Sequence, residues 1–178
     1  MIRALKTKVV VLTLAAALLA LPDSPATAQK EDIEILKAAL KKALGERTNA
    51  GQYRVILIKK GLKKGEPALS ISLNANNSPT SAGMRYGIFT DAVKTFRVLQ
   101  SWDWSSKVKY VLVGEYARVK VGDREAVPQL VFASLISSDK IRETDWDSFD
   151  PRKIPEIVDM IQLHESIKGR PMTDKVSQ

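Results

Sequence analysis

Apolar residues recur along this chain in two periods. Ile33, Leu36, Leu40 and Leu44 stand three or four apart between Glu31 and Leu44, with Lys37, Lys41 and Lys42 turned away from them. That spacing predicts an amphipathic helix, and Gly45 stands where its C-terminal stop belongs. Tyr53 to Ile58 is a short β-branched and aromatic run, the pattern of a central strand. Ala68 to Ala75 instead alternates Leu69, Ile71 and Leu73 with Ser70, Ser72 and Asn74, the pattern of a strand with one wet face. Between the two, Lys59-Lys60-Gly61-Leu62-Lys63-Lys64-Gly65 carries the glycines of a turn and the charge of a solvated loop.

The same two periods continue after the polar loop Asn74 to Gly83. Ile88, Phe89, Ala92, Val93, Phe96 and Leu99 return to helical spacing and predict a second helix ending near Trp102. Lys107 to Val121 reads as a long strand with Val108, Tyr110 and Leu112 on one face and Ala117, Val119 and Val121 on the other. A change of apolar face at Gly114-Glu115 predicts a bulge there. Gly122-Asp123 turns the chain into a strand from Ala126 to Ile136, where Pro128 suits an edge or strand start. The edge at Val127 to Ile136 offers a place to add a partner strand, with Pro128 blocking part of it. Ser138 to Phe149 is polar with some helical character, and Pro155 to Ile167 predicts a third amphipathic helix with Ile157, Val158 and Ile161 inward, stopped by Gly169-Arg170-Pro171. The order α-β-β-α-β-β-α predicts an α+β two-layer sandwich: an antiparallel sheet of about four strands with helices on one face.

The first residues follow a different logic. Arg3, Lys6 and Lys8 precede an uncharged, apolar-rich run from Val9 to Leu21, and Ala26-Thr27-Ala28 offers small residues at alternate positions. This is the pattern of a cleaved secretory signal over residues 1–28, with the mature chain starting at Gln29. The apolar run is shorter than the roughly 20 residues a spanning helix needs, and no later stretch is long or apolar enough to span. The Ala/Leu-rich signal is bacterial in style, so the expected location is periplasmic or secreted. Residues 29–170 are expected to form one domain, and 171–178 a flexible tail.

Composition narrows the chemistry. With 44% hydrophobic and 27% charged residues the chain has enough apolar material for a core and too little bias for disorder. The absence of Cys excludes disulfides, thiol catalysis and Cys-ligated zinc, and a single His leaves little room for His catalysis or a multi-His metal site. No cofactor is implied. Charge is unevenly spread: Lys30 to Lys64 holds ten basic residues against four acidic ones, whereas Gly65 to Gln178 is balanced. A lopsided field favours oriented encounter with an acidic surface.

The candidate partner-binding residues follow from that asymmetry: Lys37, Lys41 and Lys42 on the first helix, and Arg54, Lys59, Lys60, Lys63 and Lys64 on the hairpin. Few aromatics interleave with them, which argues against reading nucleic-acid sequence and for an acidic envelope protein or an anionic polymer. Trp102 and Trp104 add a candidate contact, since alternate residues of an extended segment point to opposite faces.

Four weaker patterns carry possible catalysis or metal binding. Ser137 and Lys140 have S-x-x-K spacing, which can set a Lys base beside a Ser hydroxyl; a Ser helix cap explains the same residues. Glu115 is the one acid in an otherwise apolar strand, and burial there would raise its pKa toward general acid–base work. His164 lies beside an apolar stripe, as a packed or capping His does. Asp145, Asp147 and Asp150 have spacing for a hard cation, but the interleaved Trp146 and Phe149 equally suit a loop pinned by its aromatics. The sequence thus predicts an exported, non-enzymatic binding or assembly protein of the bacterial cell envelope that docks an acidic partner. The competing expectation is a small exported hydrolase using Glu115 or the Ser137/Lys140 pair.

Overall fold

Helix α1 (Thr27–Leu44) buries Leu36, Leu40 and Leu44 on one face, and Gly45 ends it at φ 88° with its N–H on the Lys41 carbonyl. A left-handed residue at that point suits glycine, as the sequence predicts. The computed structural model describes residues 27–63, 65–102, 107–119 and 125–168. The signal up to Ala26, Lys64, Trp104, the Gly122-Asp123 turn and the tail 171–178 lie outside the described residues. Among the described residues no helix is long and apolar enough to cross a membrane.

Strands β1 (Ile56–Lys63) and β2 (Glu66–Asn74) form an antiparallel hairpin with Ile56 opposite Leu73 and Lys63 opposite Glu66. The lysine-rich stretch expected as a loop is therefore mostly strand. At a sheet edge the lysine heads stay in water while their backbone pairs with Glu66 to Ser70, so charge does not oppose the strand.

Helix α2 (Ser81–Gln100) starts from a Thr80 cap whose side chain accepts the Gly83 N–H. Its 20 residues span about 30 Å, enough to carry the chain back along the whole sheet. Strand β3 (Tyr110–Val119) therefore enters parallel to β2, with Ala68 opposite Tyr110 and Asn74 opposite Tyr116. The sheet is mixed, which corrects the expected all-antiparallel arrangement.

Strand β4 (Val127–Ser137) returns antiparallel to β3, with one register shift: Glu115 faces Phe132 but Tyr116 faces Leu130. The extra residue is Val131, so the bulge belongs to β4 and not to Gly114-Glu115. The expected change of face in β3 has another cause: the strand is buried on both sides. Val111 and Val113 join the helix-side core, while Leu112 packs with Ala68, Ala133 and Leu135 on the opposite side.

Helix α3 (Ser138–Glu143), a 3₁₀ turn (Pro151–Lys153) and helix α4 (Ile154–Ile157) lead to strand β5 (Met160–Leu163) and helix α5 (Glu165–Lys168). The predicted third helix, Pro155 to Ile167, is thus split around a strand. Ile157, Val158 and Ile161 do face the core, but Ile161 and Leu163 also fit an alternating period, and β5 gains backbone partners by pairing Met160–Leu163 with Phe132–Leu135. The five strands lie in the order β1-β2-β3-β4-β5. The fold is α+β with a mixed five-stranded sheet, and the helical residues of the core all pack on one face. The edge expected at Val127 to Ile136 is partly covered by β5, which leaves β1 as the long edge strand.

Trp146 closes the far side of this core. Its ring centroid lies 5.0 Å from those of Phe96 and Phe149, tilted 49° to each, and its indole N–H donates to the Ile141 carbonyl at 2.7 Å.

Candidate binding surface

The Ser137/Lys140 pair does not present a nucleophile and a base. Ser137 caps α3 by accepting the Lys140 backbone N–H, and the Lys140 ammonium is bound by Asp159 Oδ1 at 2.6 Å and the Ile157 carbonyl at 3.0 Å. Asp159 Oδ2 also accepts the Ser137 N–H at 2.7 Å, so the three residues clasp the start of α3 to the chain ahead of β5.

Glu115 is fully buried on the helix side of β3, and neither carboxylate oxygen has a hydrogen-bond partner. Burial pushes its pKa well up, the nearby Asp91 charge adds to this, and Arg54 opposes it. The raised pKa of this core carboxyl has the expected direction, but the group lines neither cavity described below. Asp91 forms a buried ion pair with Arg54, and Asn76 bridges the two: its Nδ2 donates to Asp91 at 3.0 Å and its Oδ1 accepts from Arg54 at 3.2 Å. Arg54 is thereby placed in the core and apart from the surface lysines.

The three aspartates point to separate partners. Asp145 accepts from the Ser148 hydroxyl and the Asp147 N–H, Asp147 pairs with Arg97 at 2.9 Å, and Asp150 caps the 3₁₀ turn and binds Arg152. Among the described residues no group of three such side chains is set to hold a metal ion. His164 Nδ1 accepts the Ser166 N–H at 3.2 Å at the start of α5, the geometry of a cap. Trp102 is partly buried against the core.

The remaining basic residues divide between two sites. Lys41 and Lys42 are exposed on α1, and Lys37 sits 3.7 Å from Glu34. On β1 the register places Lys59 and Lys63 on the sheet face away from the helices, and Lys60 on the helix side.

That open face holds residues the sequence reading did not single out. Tyr53, Val55 and Leu57 are 68%, 53% and 57% exposed; Leu62, also 57% exposed, stands on the helix-side face of the same strand. Four of the eight exposed large apolar side chains among the described residues thus fall within ten consecutive positions, Tyr53 to Leu62. Tyr53 is held by Arg47, whose guanidinium lies 3.9 Å from the ring centroid while donating to the Gly51 carbonyl at 2.7 Å. A cavity of about 390 Å³ is lined by Val55, Leu57, Lys59, Ser70, Ser72 and Tyr116. A second, of about 330 Å³, shares Val55, Asn74 and Tyr116 and extends past Tyr53 and Gln52 to Arg118 and Pro128.

Both cavities lie toward the carboxyl ends of β2 and β3, the place where open sheets with a parallel pair tend to bind ligands. Their walls are set by an asparagine lattice. Asn74 accepts the Val55 N–H and donates to the Tyr53 carbonyl, while Asn49 exchanges hydrogen bonds with Asn77 at 2.5 and 2.8 Å. The lattice fixes the segment before β1 against the loop before α2. Tyr116 stands at the junction of the two cavities, and burial raises its phenol above its ordinary value.

The missed signal was present in the sequence. A run from Tyr53 to Ile58 that is apolar at every position but Arg54 reads as a doubly buried strand; in an edge strand, half of it is left outside. Comparisons with protein families, with characterised proteins and with solved structures find no match to this chain.

Proposed function

We propose that this chain is an exported, non-enzymatic binding or assembly protein of the bacterial cell envelope that docks an acidic partner on the open face of the β1–β2 hairpin. The observation that carries this reading is the placement of Lys59 and Lys63 on the same face as the exposed Val55 and Leu57, beside a cavity of about 390 Å³. An apolar strip with cations along it fits a partner that buries apolar side chains and presents carboxylates to the lysines. The exposed Lys41 and Lys42 of α1, on the helix layer, add to the positive field that draws an acidic partner to the chain.

The test uses the mature chain from Gln29 as bait in envelope extract, beside a Lys59→Glu/Lys63→Glu variant, with bound proteins and polymers identified. The reading expects one acidic protein in a fixed ratio on the wild type and its loss from the variant. The same material on both baits overturns it. An anionic polymer that elutes at modest salt would replace a dedicated partner with general polyanion binding.

A further inference from the structure

Strand β1 pairs with β2 on one side, and among the described residues nothing pairs with its other side. In an antiparallel ladder successive residues direct their N–H and C=O groups to alternate sides, so half of the β1 backbone faces outward without a strand partner. No proline interrupts Ile56 to Lys63, and Gly61 leaves a gap in the side-chain cover. Lysines on an edge commonly deter pairing with other strands. Deterrence alone does not account for Leu57 and Leu62, both more than half exposed on the same strand. A second copy of β1 would set lysine against lysine, so the charge selects a strand of opposite sign.

We infer that the partner is held by strand addition: an extended acidic segment pairs antiparallel with the free edge of β1 and becomes a sixth strand of the sheet. The inference rests on the docking reading above and specifies how the partner is read. Cross-strand pairing places apolar residues opposite Leu57, Ile58 and Leu62, and carboxylates opposite Lys59, Lys60 and Lys63. Backbone hydrogen bonds supply the general affinity, and this order of charge and apolar side chains supplies the choice of partner. Read from its own N-terminus, the complementary segment is acidic, apolar, unrestricted, acidic, acidic, apolar, apolar.

The probe is a capped, fluorescent peptide with the core Asp-Val-Thr-Glu-Glu-Val-Ile, titrated into the mature chain and followed by anisotropy. Two further peptides carry N-methyl groups on alternate residues, one set per side of the strand, with side chains unchanged. Strand addition expects one N-methylated peptide to bind about tenfold or more weakly and the other to match the parent. It also expects amide exchange to slow at alternate residues of Ile56 to Lys63 on binding. Lys59 and Lys63 stand at the solvent edge, so the Lys59→Glu/Lys63→Glu variant should keep a cooperative melt, lowered at most slightly by the reversed charge opposite Glu66, and lose the peptide. If both N-methylated peptides bind like the parent while charge reversal still abolishes binding, strand addition is overturned and acidic docking stands. If charge reversal leaves binding unchanged, the docking reading itself fails. No binding by the parent peptide overturns strand addition and leaves the extract experiment to decide the docking reading.

Discussion

Arg54 and Asp91 meet in the core: Arg54 Nη1 lies 2.8 Å from Asp91 Oδ2, and the two side chains are 1% and 2% exposed. The pair ties the residues just before β1 to the middle of α2, and so holds the exposed end of the edge strand against the crossover helix. Burial raises the Asp91 carboxyl above its ordinary range, and Arg54 pulls it back only in part. Desolvation therefore offsets much of the pair's attraction, yet removing one partner leaves a buried charge alone. Asp91→Ala is expected to lower unfolding free energy by about 3–5 kcal/mol, and the paired replacement Arg54→Met/Asp91→Leu by much less. Urea denaturation of both variants checks this, and a double variant that loses as much as the single one would contradict it.

Glu115 gives stability a pH dependence of known sign. Burial, and then Asp91, raise its pKa well above the ordinary value, so between its unfolded and folded pKa values the native state holds a proton that the unfolded state has released. Stability accordingly falls as pH rises through that window, and Asp91, also raised, adds a slope of the same sign. Glu115→Gln, which mimics the protonated acid, is expected to flatten this decline. The variant's advantage over wild type should grow as pH rises above the ordinary glutamate range in paired urea titrations. Parallel curves would show that Glu115 does not titrate differently on folding.

Gly83 stands on the first turn of α2 under the loop that helps to wall the cavities. A Cβ there would collide with Ser78 Oγ and come within 3.0 Å of Thr80 Oγ1, the cap itself. Gly83→Ala gains up to about 1 kcal/mol of helix propensity but must displace both hydroxyls. The single variant is expected to be less stable than wild type, and Ser78→Ala is expected to recover about 1 kcal/mol when added to it. A double-mutant cycle by thermal melting measures the coupling; additive effects would show that the approach is relieved elsewhere.

The Ser137, Lys140 and Asp159 clasp makes a stability prediction in place of a catalytic one. Ser137→Ala removes one cap bond and is expected to cost about 1 kcal/mol. Asp159→Ala should cost more, because it strips the acceptor from both the Ser137 N–H and the Lys140 ammonium. Equal thermal midpoints for wild type and both variants would mean that the clasp is not formed in solution.

Helical elements with strong periodicity were legible from the sequence, because Leu36, Leu40 and Leu44, and Ile88 to Leu99, bury one stripe each. The parallel β2–β3 pair was within reach as well: a helix as long as Ser81–Gln100 returns the chain to the end from which β2 began. Two features were not legible for a physical reason. Residues from Pro155 to Ile167 fit both a helical and an alternating period, and only the backbone demand of β4 decides for a strand. Arg54 counts as one more cation in any sum over the sequence, and its partner Asp91 stands 37 residues away, so its burial comes only from tertiary structure. The lysines were found from charge, whereas the apolar strip beside them was hidden by the assumption that an apolar strand lies inside.

The lysines of β1 and those of α1 are expected to act on different rate constants. Lys59 and Lys63 lie on the face with Leu57 and the cavity, where a partner's carboxylates would lose water, whereas Lys41 and Lys42 are exposed on the helix layer. Contacts that close an interface mainly slow dissociation, and peripheral charge mainly speeds encounter. With the acidic probe peptide, Lys59→Glu/Lys63→Glu should raise the dissociation rate or abolish binding, while Lys41→Glu/Lys42→Glu should lower the association rate by a few-fold and leave dissociation nearly unchanged. The helix effect should also vanish at about 1 M salt, where the screening length shrinks to about 3 Å. Surface plasmon resonance at low and high salt separates the two. If the helix variant loses the complex and the strand variant keeps it, the docking surface lies on α1 and not on the hairpin.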